Sequence, residues 1–173
     1  MLIFKYLTMN PDEFKRVISE KIDEIIRYRD EDLPHVVGKE AVDHFKESFM
    51  NEGFTDSTLQ KWPEVERRKP DSPWYGFSSV NKKAFSQARA TDRILTGETN
   101  ELRNSIDYFL SPGRVTVGTD KVYAAVHQFG QNAKVFGKTT FKMKARPFIG
   151  KSEVLNQAIR EKMERDLERI FKQ

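Results

Sequence analysis

Between residues 10 and 51, apolar side chains recur at three- and four-residue steps in two successive stripes, and each stripe needs another surface to bury it. Asn10-Pro11-Asp12-Glu13 opens the first stripe. Asn10 can cap, Pro11 suits the first helical position, and Glu13 stands where a capping-box acid reaches back. Phe14, Val17, Ile18, Ile22, Ile25 and Ile26 then form one helix face. The acidic run Asp30-Glu31-Asp32 and Pro34 predict a break near Arg29. Val37, Ala41, Val42, Phe45 and Phe49 predict a second helix over residues 34–51, with Gly53 as its left-handed C-terminal cap. Two such helices joined by a short loop read as a helical hairpin over residues 10–53, or as a long bent arm.

Periodicity then vanishes. From Phe54 to Ala90 the chain is interrupted by Pro63, Pro70, Pro73 and Gly76, with Trp62, Trp74, Tyr75, Phe77 and Phe85 scattered through it. A loop of this length is uncommon inside a domain, and its aromatic content argues against full disorder. Residues 54–93 are therefore expected to be an aromatic insertion that becomes ordered against a neighbouring subunit. Trp62, Trp74, Tyr75 and Phe77 are its candidate partner-binding residues. The competing expectation is that the loop folds back on its own sheet as a satellite cluster.

The segment 94–173 predicts a sheet and a closing helix. Leu102, Ile106, Tyr108 and Leu110 share one parity, Ser111-Pro112-Gly113 turns the chain, and Val115 and Val117 return it, which is a β-hairpin. Thr119 or Asp120 can cap a short helix through Tyr123, Val126 and Phe129, stopped by Gly130. Over residues 138–146 Thr139, Phe141, Met143 and Ala145 alternate with Lys138, Thr140, Lys142, Lys144 and Arg146, until Pro147 ends the strand. Leu155, Ile159, Met163, Leu167 and Ile170 stripe a last helix over residues 152–171. Phe129 and Phe148, each beside a chain break, are expected to anchor the core. With 173 residues, the whole reads as a single α+β domain: two N-terminal helices, a small antiparallel sheet with a short inserted helix, and a C-terminal amphipathic helix.

Several chemistries are excluded by what is missing. The chain has no cysteine, so disulfide scaffolds, thiolate zinc sites, thiol catalysis and iron–sulfur clusters drop out. Its three histidines, His35, His44 and His127, lack the spacing of a zinc helix. No glycine-rich phosphate loop or Gly-x-Ser-x-Gly elbow occurs. No catalytic residue, metal or cofactor is assigned. No apolar run approaches the roughly 20 residues of a membrane span, and residues 1–7 lack the basic flank and cleavage site of a signal peptide. A soluble protein without an export signal is expected.

Charge is unevenly placed. Residues 61–93 hold eight bases and four acids, and residues 134–151 hold six bases and no acid, although the chain as a whole carries only +4. Such asymmetry suits head-to-tail self-binding, or nucleic acid tracked by Lys138, Lys142, Lys144 and Arg146 together with the 61–93 loop. The strand lacks a stacking pair of aromatics on its basic face, so nucleic-acid binding is expected to be weak and non-specific.

The ordered motifs of the C-terminal half resemble the phage virion morphogenesis family. They are Tyr123-Ala124-Ala125-Val126-His127-Gln128-Phe129-Gly130, then Ala145-Arg146-Pro147-Phe148-Ile149-Gly150 and a final helix. Upstream, the Ile94-Leu95-Thr96-Gly97 element, the Leu102, Ser105, Ile106 series and the Val115 to Thr119 strand end are similar too, as is the Phe45, Phe49, Gly53, Trp62-Pro63 arrangement. The chain departs from the family in the four residues Glu98-Thr99-Asn100-Glu101 inserted before the Leu-x-x-Ser-Ile strand. The resemblance implies a structural protein of tail completion or the head–tail neck, without catalysis. It further implies assembly as a ring in the host cytoplasm and incorporation with neighbouring head, neck or tail proteins.

Overall fold

Helix continues where the sequence predicts a break. The computed structural model describes residues 9–78, 85–97, 99–135 and 139–172. In it, α1 (Pro11–Arg27) passes through a π-helical turn (Tyr28–Asp32) directly into α2 (Leu33–Asn51). The expected hairpin over residues 10–53 therefore gives way to one long arm. Pro34 has no N–H to donate and its ring crowds the preceding turn. The wider turn, in which the N–H of Leu33 reaches back to Tyr28 O, lets the helix run past it. Asn10 caps α1 as predicted, its Oδ1 accepting from the N–H groups of Asp12 at 3.1 Å and Glu13 at 2.9 Å.

The arm has two unlike halves. α2 buries Ala41, Val42, Phe45 and Phe49 in the core, whereas α1 buries no residue. The left-handed cap after α2 falls on Glu52 (φ 50°), not on Gly53. Gly53 instead begins a hairpin of β1 (Gly53–Thr55) and β2 (Leu59–Lys61), where a Cβ would sit 2.5 Å from Gln60 O. This hairpin lies inside the stretch expected to be an irregular loop. The loop proper continues through a 3-10 turn (Glu66–Arg68) to α3 (Gln87–Thr91).

The second half keeps the predicted element types but not one sheet. Leu102 belongs to the short helix α4 (Glu101–Asn104) rather than to the first strand. The hairpin follows as β3 (Asp107–Ser111) and β4 (Arg114–Gly118), in register from Asp107–Gly118 to Ser111–Arg114. After α5 (Ala124–Phe129), stopped by Gly130 at φ +67°, the predicted strand is shorter, β6 (Thr139–Lys142), and pairs with an unforeseen β5 (Asn132–Val135). The three ladders are each two-stranded and antiparallel. Lys138 and the N-terminal residues 1–7 lie outside the described residues. The mixed α+β class stands.

α6 (Glu153–Lys172) closes the molecule. Ser152 caps it, its Oγ accepting from Leu155 N–H at 3.1 Å. Asp56, just past β1, fastens the same end, its carbonyl accepting from Val154 N–H and its carboxylate from Glu153 N–H. The helix packs along α2 and reaches the π turn, where the Tyr28 hydroxyl donates to Asp166 at 3.2 Å. Burial, helped by the Asp166 charge, pushes Tyr28 up to about 12. Phe49, Phe54, Trp62, Ile94, Leu102, Ile106, Ala124, Phe148 and Leu155 complete one core with α2.

The two expected anchors part company. Phe148 is 1% exposed and packs on Phe49 with ring centroids 5.4 Å apart, while Phe129 is 69% exposed. The left-handed Gly130 redirects the chain immediately after Phe129 and leaves its ring outside. Phe148→Ala is expected to cost about 3–5 kcal/mol, and Phe129→Ala less than about 0.5 kcal/mol. Urea denaturation midpoints measure both, and equal losses would mean that the Phe129 ring is covered in solution.

Candidate functional site

Two segments more than 80 residues apart hold each other by the groups next to their prolines. The Trp62 indole N–H donates to Pro147 O at 2.7 Å. In return the Arg146 guanidinium donates to Pro63 O through Nε at 3.1 Å and Nη2 at 2.9 Å, and to Glu64 O at 3.4 Å. Arg146 is 4% exposed. It therefore does not belong to the exposed basic face on which the alternation placed it. Burial lowers its pKa, and neighbouring Glu64 opposes that shift. A buried guanidinium is tolerable here because its planar fork meets several carbonyl oxygens at once. Trp62, expected to face a partner, is buried against Phe49 in a T-shaped contact at 5.6 Å.

The end of α5 locks onto the same segment from the other side. Gln128 uses both ends of its amide: Nε2 donates to Ile149 O at 2.6 Å, and Oε1 accepts from Phe148 N–H at 3.0 Å and Ile149 N–H at 3.3 Å. The Arg146 N–H donates to His127 O at 2.7 Å. Gly130 lies so close to the chain leaving β6 that a Cβ would stand 2.8 Å from Met143 O and Ala145 N. The motif runs 127–130 and 145–149 are thus two halves of one hydrogen-bonded joint. His127 takes part through its backbone; its Nδ1 is buried and has no hydrogen-bond partner among the described residues. Burial first, and the Arg146 charge second, lower the His127 pKa.

A second arginine knots the loop. Arg67 donates to Arg89 O, to Asp92 O at 2.8 Å and to Arg93 O at 2.7 Å, gathering the C-terminal carbonyls of α3. Burial, then the Arg89 charge, pulls Arg67 down to about 10, so it stays cationic at neutral pH. Glu52 ties this knot to α2 by accepting from Ile94 N–H at 2.8 Å and from Arg68. Burial raises its carboxyl, but the Ile94 and Arg68 hydrogen bonds outweigh that and hold it low. Arg67, Arg89, Glu101, Tyr123, His127 and Arg146 line a cleft of about 490 Å³. Its arginines are committed to carbonyls: Arg67 and Arg146 as above, and Arg89 to Gly97 O at 3.0 Å. The cleft thus lies between the joint and the loop knot, and its cations serve those two contacts.

The other predicted residues are exposed or half-buried. Trp74 is exposed and meets Phe77 edge-on at 5.2 Å, and Tyr75 meets the exposed Phe85 at 5.4 Å. The described parts of the loop thus pack on the chain itself. Lys142 and Lys144 are exposed, Gly97 has φ +60°, and the exposed Tyr123 is 3.5 Å from Glu101. Sequence reasoning missed one open apolar surface. Ile18, Ile22 and Ile26 of α1 stay exposed, Ile22 by 51%, although their spacing reads as a core stripe. No helix among the described residues is long and apolar enough to cross a membrane. None of their His, Asp and Glu residues cluster so as to hold a metal ion.

The family model for phage virion morphogenesis matches residues 64–168, which contain the 127–130 and 145–149 runs of the joint and Arg67 with its carbonyl partners. The chain belongs to the phage virion morphogenesis family. That family is a structural, non-enzymatic kind of protein, and membership makes the chain a phage structural or assembly protein. Comparison with curated proteins and with solved structures returns no match. Within the family-matched region, Gln128, Arg146 and Phe148 act on their own fold rather than on a ligand.

Arg146→Lys should therefore cost about 1.5–3 kcal/mol, because an ammonium cannot serve Pro63 O and Glu64 O with a planar fork. Lys142→Ala and Lys144→Ala should each change stability by less than about 0.5 kcal/mol. Chemical denaturation of the three variants compares them, and a neutral Arg146→Lys would remove the joint from the account. His127 supplies a pH test. Its folded pKa lies below the ordinary 6.5, so the unfolded chain takes up the proton more readily. Its contribution is present above pH 6.5 and is lost as pH falls towards the folded value. Between about pH 7.5 and about pH 5.5 the parent midpoint should fall further than that of His127→Gln. Parallel curves would assign the acid sensitivity elsewhere.

Proposed function

We propose that the protein is a structural component of tail completion or of the head–tail neck, and that it works by self-association and by contacts with other virion proteins. On this reading it assembles in the host cytoplasm and ends in the neck or tail of the particle. One observation carries the proposal: the motif residues are spent on an internal joint, whereas α1 buries no residue and leaves Ile18, Ile22 and Ile26 exposed. An amphipathic helix of this length is marginal in water without a surface to pack on. A protein that keeps one exposed is organised to receive another chain.

The alternative is a nucleic-acid-binding module using the 134–151 strand and the 61–93 loop. Exposed Lys134, Lys142 and Lys144 favour it, while the burial of Arg146 takes away one of its four proposed phosphate contacts. Sedimentation velocity over a range of protein concentrations, with and without duplex DNA at two salt concentrations, separates the readings. Mass is expected to rise with protein concentration in the absence of DNA. Any DNA complex is expected to be sequence-independent and to dissolve at physiological salt. A monomer at every concentration that binds DNA tightly would reverse the assignment.

A further inference from the structure

The cleft between the joint and the loop knot brings Leu95 and Gly97 together with Tyr123, His127 and Arg146, so three separate sequence motifs meet there. Its wall is cationic. Among the described residues that line it stand three arginines, Arg67, Arg89 and Arg146, and one acid, Glu101, which Lys121 already meets at 3.3 Å. Carbonyl oxygens satisfy guanidinium N–H groups but bring no net charge to balance them. Burial, and after it like charge, depresses Arg67 beside Arg89 and His127 beside Arg146. Donors are also left over. Arg89 commits only Nη1, to Gly97 O at 3.0 Å, with Asp92 3.6 Å from the same nitrogen. Its Nε and Nη2 have no partner among the described residues, and neither does the buried His127 Nδ1. Leu95 lies in the left-handed region at φ +62°, a conformation that bulky side chains avoid and that clusters at functional sites.

From this convergence we propose that the cleft receives a carboxylate presented by an acidic peptide of a neighbouring protein in the particle, with Arg89 and His127 as its receiving groups. The inference rests on the proposed contacts with other virion proteins and names the chemistry of one of them. A guanidinium fork with two free nitrogens matches a carboxylate, and the unpaired imidazole nitrogen supplies a further polar contact. Leu95, Leu102 and Tyr123 line the same cleft and suit the aliphatic stem of a glutamate. Arg67 and Arg146 keep their carbonyl partners and contribute their charge. The recessed position of the cations decides against nucleic acid. Arg67 and Arg89 are half-buried and Arg146 is 4% exposed, out of reach of a duplex backbone that is tracked by exposed bases. A single side chain reaches them.

Titration of the dilute, isotopically labelled protein with a capped tetraglutamate peptide, followed by NMR at the His127 ring and the Gly97 amide, tests this. Both signals should move to saturation, and a capped tetraglutamine peptide should leave them in place. Arg89→Gln keeps a donor for Gly97 O but removes the charge, and should weaken binding about tenfold. Glu101→Gln removes the one described acid of the cleft and should tighten binding about threefold, a gain that damage to the fold cannot produce. Absence of binding, shifts confined to exposed lysines such as Lys142 and Lys144, or equal affinity in both variants would overturn the cleft as receptor. None of these outcomes touches self-association, which sedimentation reads without the peptide. Inorganic phosphate or free glutarate binding as tightly as the peptide would overturn the peptide ligand in favour of a small anion. Glu98, next to Gly97, lies outside the described residues. Tightening of more than about tenfold by Glu98→Gln would make that side chain the cleft's own carboxylate and overturn the proposal as well.

Discussion

The exchange between Trp62 and Pro147 on one side, and Arg146 and Pro63 on the other, is the contact on which the rest of the structure depends. Each of the three ladders has only two strands, and a two-stranded hairpin is marginal in water. None of them can position the others through a shared sheet. What relates them is the joint: it bonds the chain just after β2 to the chain just after β6 across more than 80 residues. Gln128 adds the end of α5, and the Phe49, Trp62 and Phe148 rings pack beneath. The polar groups involved come from residues at prolines or strand ends, where no ladder is available to satisfy them. Their pairing closes that account and fixes the geometry together.

This internal use of the motif residues shapes the functional reading. Residues that looked like candidates for outside contact, Trp62 and Arg146, are turned inward, and the arginines of the cleft that Arg146 helps to line are already bonded to carbonyls. What remains outside is the stripe of α1, the ring of Phe129 and the lysines of the ladder. Membership of the phage virion morphogenesis family and an exposed helical arm point the same way. On the proposed reading, association would use these outer groups while the joint holds the body together.

Much of this was legible in the residues, for reasons that differ by element. The caps at Asn10 and Gly130, the Pro112-Gly113 turn and the two long stripes are local signals, and local backbone preference decides them. The helix through Pro34 was not legible, because a π turn trades one hydrogen-bonding pattern for another without a distinctive sequence. β1, β2 and β5 escaped notice because three or four residues are too few to show alternation. Leu102 and Ile106 fit both a strand parity and a four-residue helical step; Leu102 falls in α4, and Ile106 lies between α4 and β3. Arg146 was misplaced by strict alternation, since β6 ends at Lys142 and the side chain is claimed by carbonyls 83 residues away. The stripe on α1 was read correctly as a stripe; its exposure is a tertiary fact that periodicity does not contain.

Amide hydrogen exchange followed residue by residue at low and high protein concentration tests the central claim most directly, because it reads the joint and the arm in one measurement. The account predicts that Arg146, Phe148 and Ile149 are protected near the global limit at both concentrations. It predicts that the amides from Lys15 to Ile22 exchange readily when dilute and gain protection as the protein associates. Fast exchange at Phe148 and Ile149, or an arm equally protected at every concentration, would contradict it.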